Sequence, residues 1–219
     1  MKFKKPYFIS LEGTEGSGKT TVGKMLKEKL HQEGYDVILT REPGGIRISE
    51  EIREIILDKN NIKMDKWTEA LLYIAARRQH TVEVILPALK AGKIVICDRY
   101  IDSTAAYQGL GRGLGIEILN NIQQIIIGDA MPNLTLLFDL DPAIGLERAK
   151  NSRTSNELNR LDLENLAFHK KVYQGYQTLL IKNTLRIKRI DASLPLLKVF
   201  KQVTTIVEKY LTELKNHEL

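Results

Sequence analysis

Cysteine is almost absent from this chain. Cys97 is the single example among 219 residues and sits inside the apolar run KIVICD, so no internal disulfide is available and a buried, inert thiol in a reducing compartment is expected. No run of about 18 apolar residues occurs, so no bilayer-spanning helix is predicted. The basic start, MKFKKPYFISLEG, offers only YFISL before Glu12, too short for the apolar core of a secretory leader; a cytoplasmic protein without membrane attachment is expected. Positive charge is present but not concentrated. The net charge is +6, yet there is no block of consecutive lysines and arginines and no basic stripe interleaved with aromatics. A nucleic-acid surface is therefore not predicted, and a basic site for a small polyphosphate accounts for the excess equally well.

What the chain does have is alternation. YFISLE (7–12), DVILT (36–40), KIVICD (93–98), LTLLFDL (134–140) and LRIKRID (185–191) read as strands. Helical patterns lie between and after them at 19–33, 49–58, 66–91, 115–127, 142–150, 163–181 and 195–214. Strand and helix in repetition predict βαβ units: an α/β fold with a five-stranded parallel sheet and helices on both faces, in one domain covering residues 1–219. The first four strands are apolar enough to lie centrally, whereas the fifth, with Arg186, Lys188 and Arg189, reads as an edge.

The first strand runs into Gly13, Thr14, Glu15, Gly16, Ser17, Gly18, Lys19 and Thr20, which fits G-x-x-x-x-G-K-[ST] between a strand and a helix. Glycines there let successive N–H groups turn inward onto phosphate oxygens, with the helix N-terminus behind them. Lys19 reaches the β- and γ-phosphates, and Thr20 offers a hydroxyl to Mg²⁺. Asp98, at the end of IVICD, fits the second metal-directed acid. The N-K-x-D tetrapeptide of guanine readers is missing, which argues against a GTPase. Arginines at strand and helix ends (Arg41, Arg53, Arg77, Arg78, Arg99 and Arg112) suggest a second anionic ligand facing the phosphate loop, although Arg78 and Arg112 read equally well as surface ion pairs.

EGTEGSGKTT, TREPGG, EEIR, EALLYIAARRQH, CDRYIDSTAAYQG and PNLTLLFDLDP follow in this order from residue 12 to 142, with a weaker continuation through AFHKKVYQGY to about residue 176. This series resembles the bacterial thymidylate kinases. The resemblance implies a P-loop nucleotide-kinase architecture with strand order 2-3-1-4-5, a cis Glu42–Pro43 bond and a homodimer packed partly through helix 66–91. It implies transfer of the ATP γ-phosphate to dTMP, with Mg²⁺, on the route to dTTP. Site roles carry over as follows: Tyr73 stacks on thymine, Arg77 and Gln108 read the base, and Ser103 and Thr104 lie near its edge. Arg53 and Arg99 clamp the 5′-phosphate, Glu15 takes the 3′-hydroxyl, and Glu42 sits close to metal and acceptor.

A phosphate monoester, with a second pKa of about 6, is already an anionic nucleophile and needs no general base. The four histidines, His31, His80, His169 and His217, are accordingly expected to be surface or packing residues. Family members carry a catalytic arginine either in the P-loop or in a basic lid. Gly16 occupies the P-loop position, so the polar segment RAKNSRTSNELNR (148–160) is expected to act as lid, with Arg153 first and Arg148 and Arg160 as alternatives. NRLD departs from the family's usual D-R-[FI]-E, and Arg47 stands where a small residue is commoner. Two other readings stay open on the residues alone: a P-loop kinase for another pyrimidine nucleotide or nucleoside, and a nucleic-acid-stimulated ATPase suggested only by the basic pI of 9.2.

Overall fold

The computed structural model describes residues 7–152 and 159–216. Five strands, β1 (Tyr7–Gly13), β2 (Val37–Arg41), β3 (Ile94–Asp98), β4 (Leu134–Asp139) and β5 (Ile187–Asp191), form one sheet in the order β2-β3-β1-β4-β5. Every pairing is parallel. The order and the parallel pairing match expectation, and so does β5 at an edge. One expectation fails: β2 is not central but forms the other edge, and Ile38 and Leu39 are only half-buried there.

β1 is buried along its whole length because it lies in the middle with both faces covered. Its side chains alternate. Tyr7, Ile9 and Leu11 pack with Leu134, Leu136 and Phe138 against Val22, Leu26 and Leu30 of α1 (Lys19–Gln32) and Val199, Val203 and Val207 of α9 (Leu196–Asn216). On the opposite face Phe8, Val95 and Cys97 meet Ile85, Leu89 and Tyr100, while Leu137 and Ile187 meet Val172, Tyr176 and Leu179 of α8 (Leu166–Lys182). Cys97 is the buried, unpaired thiol expected, and burial pushes it up from its ordinary pKa.

The helix expected over 66–91 is interrupted. α3 (Lys66–His80), begun by Asp65 accepting from the Trp67 and Thr68 amides, widens into a π-helical turn at Thr81–Ile85 before α4 (Leu86–Lys90). Pro87 has no N–H for the ladder, and a wide turn accommodates the gap. Sequence periodicity also missed α5 (Ile101–Thr104) and the π-helical turns Ala105–Gly111 that continue it. Residues 105–109 are all buried, so no amphipathic period exists to be read. α2 (Arg47–Leu57), α6 (Ile116–Ile127) and α7 (Pro142–Ser152) complete the fold. The Glu42–Pro43 bond is cis, as expected.

Parallel register places the site. Asp98 at the end of β3 stands level with Leu11 of β1 and Arg41 of β2, so β1 to β3 all deliver their functional residues to one edge of the sheet.

Candidate active site

A cleft of about 340 Å³ opens at that edge. Its floor is the loop from Glu15 to Thr20, in which Gly16 (φ 67°) and Gly18 (φ 84°) adopt left-handed backbone. Gly16 tolerates no side chain for a second reason: a Cβ there would collide with the carbonyl oxygen of Gly145. Lys19 folds back on the loop, its Nζ donating to the carbonyls of Gly13 (2.9 Å) and Thr14 (2.8 Å) and to Ser17 Oγ (3.1 Å). Gly13 and Thr14, expected at the phosphates, thus sit beneath the lysine rather than lining the cleft. Burial, followed by the charge of Arg99, lowers the Lys19 ammonium to about 8. Thr20 Oγ1 donates to Asp98 Oδ2 at 2.5 Å, a hydroxyl and carboxylate pair suited to a hard, oxygen-seeking cation.

Arg99 forms the opposite wall. It holds φ 70°, a left-handed backbone that costs a non-glycine residue about 1 kcal/mol, and it is retained by its N–H on the Leu11 carbonyl (2.9 Å). The guanidinium donates to Glu15 Oε1 (2.9 Å), Ser103 Oγ (3.2 Å) and Tyr176 Oη (3.2 Å), and lies 5.0 Å over the Tyr107 ring. Burial alone would raise the Glu15 carboxyl, but the charge of Arg99, with Lys19 and the Tyr107 hydroxyl (2.7 Å), holds it well below the usual carboxylate range. Ser103 also donates to Glu12 Oε2 (2.6 Å), which places it on the Arg99 side of the cleft. Arg53 donates to the Pro43 carbonyl (2.9 Å), while burial and the neighbouring charge of Arg41 lower its pKa. Lys19, Arg41, Arg53 and Arg99 therefore crowd one cleft with positive charge.

The far wall is tied into two buried nodes. At the first, both oxygens of Glu42 are engaged, by Arg77 Nε (2.7 Å) and His80 Nδ1 (2.8 Å). One neutral tautomer serves His80 on both sides, with Nδ1–H on Glu42 and Nε2 accepting from Thr40 Oγ1 (2.7 Å). Arg77 further donates to Thr104 Oγ1, Gln123 Oε1 and the Tyr100 carbonyl, so four of its five N–H groups are taken. At the second node Glu69 accepts from Gln108 Nε2 (2.8 Å), Arg112 and Arg160 Nη2 (2.6 Å). The bond to Glu69 fixes the Gln108 amide, leaving its oxygen as an acceptor. Tyr73 also lines the cleft.

The arginines of the expected lid separate. Arg148 belongs to α7 and donates to the Ala192 carbonyl (3.0 Å). Arg160 is buried against Glu69 and the Ile56 carbonyl, a structural anchor rather than a lid charge. Arg153 lies outside the described residues. Arg112 is no surface ion pair either: it bridges Glu69 and Glu164 and covers the Phe168 ring at 4.5 Å. Arg78 stays outside, on the Ile126 carbonyl.

The sequence reading missed Glu12, Tyr107, His80 and His169. Tyr107 lies within a motif already singled out and four residues beyond Ser103, a helical spacing that could have exposed it. The two histidines, expected as surface or packing residues, are fully buried beside Glu42 and Glu15.

The family model described as thymidylate kinase matches residues 11–203. Thymidylate kinase from Anoxybacillus flavithermus is 54% identical over 201 residues, covering 92% of this chain and 96% of that protein. The Clostridium novyi thymidylate kinase is 55% identical over 197 residues, covering 90% and 95%. Among solved structures, thymidylate kinase from Ehrlichia chaffeensis superposes with a TM-score of 0.73 at 34% identity, over 92% of this chain and 98% of that one. With the P-loop, the cationic wall and these relatives in agreement, the chain belongs to the thymidylate kinase family.

Proposed function

We propose how the cleft divides the reaction of this chain, transfer of the ATP γ-phosphate to dTMP to give dTDP and ADP. The loop Glu15–Thr20 holds the phosphates of ATP, with Gly13 and Thr14 seating Lys19 beneath them. Arg53 and Arg99 hold the 5′-phosphate of dTMP, Tyr73 stacks on thymine, and Gln108, Thr104, Ser103 and the remaining N–H of Arg77 address the base and its surroundings. Glu15 takes the sugar 3′-hydroxyl. Glu42 acts beside the acceptor by fixing Arg77. The observation that carries this reading is the single cleft with a P-loop lysine on its floor and two arginines, Arg53 and Arg99, on its walls. Transfer between two phosphates requires alignment and neutralisation of charge rather than proton abstraction, and among the described residues no histidine lines the cleft.

Thr20 and Asp98 are the residues to hold Mg²⁺, which when bound neutralises charge on the β- and γ-phosphates. We assign the catalytic lid arginine to Arg153, within a single kinase domain. We assign the enzyme to the cytoplasm, working without nucleic acid or membrane; among the described residues no helix is long and apolar enough to cross a bilayer. A homodimer fits the exposed Leu71 of α3 and Ile118 and Ile125 of α6, two helices that pack together through Ile74 and Leu119.

A coupled assay of ADP release against a panel of nucleoside monophosphates tests the assignment. dTMP is expected to lead the panel. Arg53→Ala and Arg99→Ala are expected to raise the KM for dTMP at least about tenfold, the scale of a lost charge-assisted hydrogen bond, with little change in the KM for ATP. Unchanged KM for dTMP in both variants overturns the clamp.

A further inference from the structure

His169 is the one histidine of the described chain whose two ring nitrogens are both buried and without a hydrogen-bond partner among the described residues. It sits in the first turns of α8, 1% exposed, with the Phe168 ring edge-on at 5.6 Å. Its neighbour Glu15 is already satisfied. Glu15 accepts from Arg99 and Tyr107, while the Tyr176 and Ser103 hydroxyls both donate to Glu12. A buried polar ring left over inside such a network is costly unless another state of the site uses it. The nearest partner is Glu15, whose Oε2 stands 3.6 Å from His169 Nδ1, just beyond hydrogen-bond reach.

Glu15 and a phosphate compete for one cation. In the structure Arg99 serves Glu15, and on the reading given above the same guanidinium serves the acceptor phosphate. A carboxylate that loses its arginine inside the protein needs another donor at once. The imidazole is placed to be that donor, because a shift of under an ångström brings Nδ1 within range of Oε2.

We propose that His169 is a positioning residue for Glu15. When Arg99 turns to the phosphate of dTMP, Nδ1–H of His169 closes onto Glu15 Oε2 and keeps the carboxylate aimed at the sugar 3′-hydroxyl. The Tyr107 hydroxyl, 2.7 Å from both carboxylate oxygens, stays on Glu15 throughout. This rests on the assignment of the 3′-hydroxyl to Glu15.

The test compares kcat/KM for dTMP with that for 3′-deoxythymidine monophosphate, which lacks the group Glu15 would hold. His169→Asn keeps an N–H near the Nδ1 position. His169→Leu removes the donor, and His169→Gln carries its amide out toward the Nε2 position. The preference for dTMP is expected to survive in H169N and to fall about tenfold in H169L and H169Q, one hydrogen bond to a charged group. Two of these variants keep a polar head, so the comparison stands even if H169L does not fold. If H169Q and H169L retain the wild-type preference, or lose activity on both nucleotides in equal proportion, the proposal is overturned. Glu15→Gln is run alongside: a full preference in E15Q refutes the assignment of Glu15 itself, whereas a lost preference in E15Q with none lost in H169Q refutes only the role of His169.

Discussion

Glu12 accepts three hydrogen bonds, from the Tyr100 amide and the Ser103 and Tyr176 hydroxyls, and none from a charged group. Burial, with the nearby Asp102 charge second, pushes its carboxyl up to about 7. The folded protein therefore keeps a proton that the unfolded chain releases near 4.5, so native stability falls as pH rises through that window. Glu12→Gln removes the titration. Between pH 5 and pH 8 the variant is expected to gain on the wild type by on the order of 2 kcal/mol in thermal unfolding, and a difference independent of pH refutes the assignment. Nothing in the sequence announces this behaviour, because LEG before a P-loop reads only as a strand end. The same blindness hides His80 and His169. A helical pattern shows which face a histidine occupies, but what lies opposite it depends on chain crossings as distant as 154 residues, as between His169 and Glu15.

At the scale of elements, the strands were legible because each is a short apolar run between turn residues, and the P-loop because its spacing is unforgiving. The helical stretch 101–111 was not, since burial on all sides erases periodicity. Arg160 was misjudged for a related reason: a polar tract reads as solvated, yet this arginine is pinned by the carbonyls and acid of neighbouring helices. The P-loop packs against α7 so closely that Gly16→Ala must displace the Gly145 backbone and adopt φ 67°. That variant is expected to lose more than about 2 kcal/mol in chemical denaturation and nearly all kinase activity. Wild-type stability and rate would show that the loop yields. This packing leaves no room for a side chain at Gly16, in keeping with the lid assignment proposed above. Arg153→Ala is expected to lower kcat at least about a hundredfold with the KM for dTMP nearly unchanged, the pattern of a contact made mainly in the transition state. A near-normal kcat would leave Arg47, exposed on α2 and paired with Glu51, as the next arginine to replace.

At the scale of the whole molecule, the βαβ alternation carried the fold class, while strand order and the cis bond came through family resemblance rather than periodicity. Oligomeric state belongs to this scale too. Ile125 is 82% exposed on α6, and Ile125→Asp is expected to convert a dimer to a monomer in sedimentation velocity; a wild-type chain that sediments as a monomer refutes the interface. The cations of the cleft have one shared property with a wider consequence. Lys19 rests on its own loop, Arg99 on Glu15, Arg53 on the Pro43 carbonyl and Arg77 on Glu42, so in the resting cleft each is already coordinated. A chloride or bicarbonate ion can relieve one of these contacts at a time and leaves the others in place. Only a ligand whose phosphate oxygens span the distance between these cations can meet them together, and the cleft is therefore expected to discriminate against the common small anions of a cell.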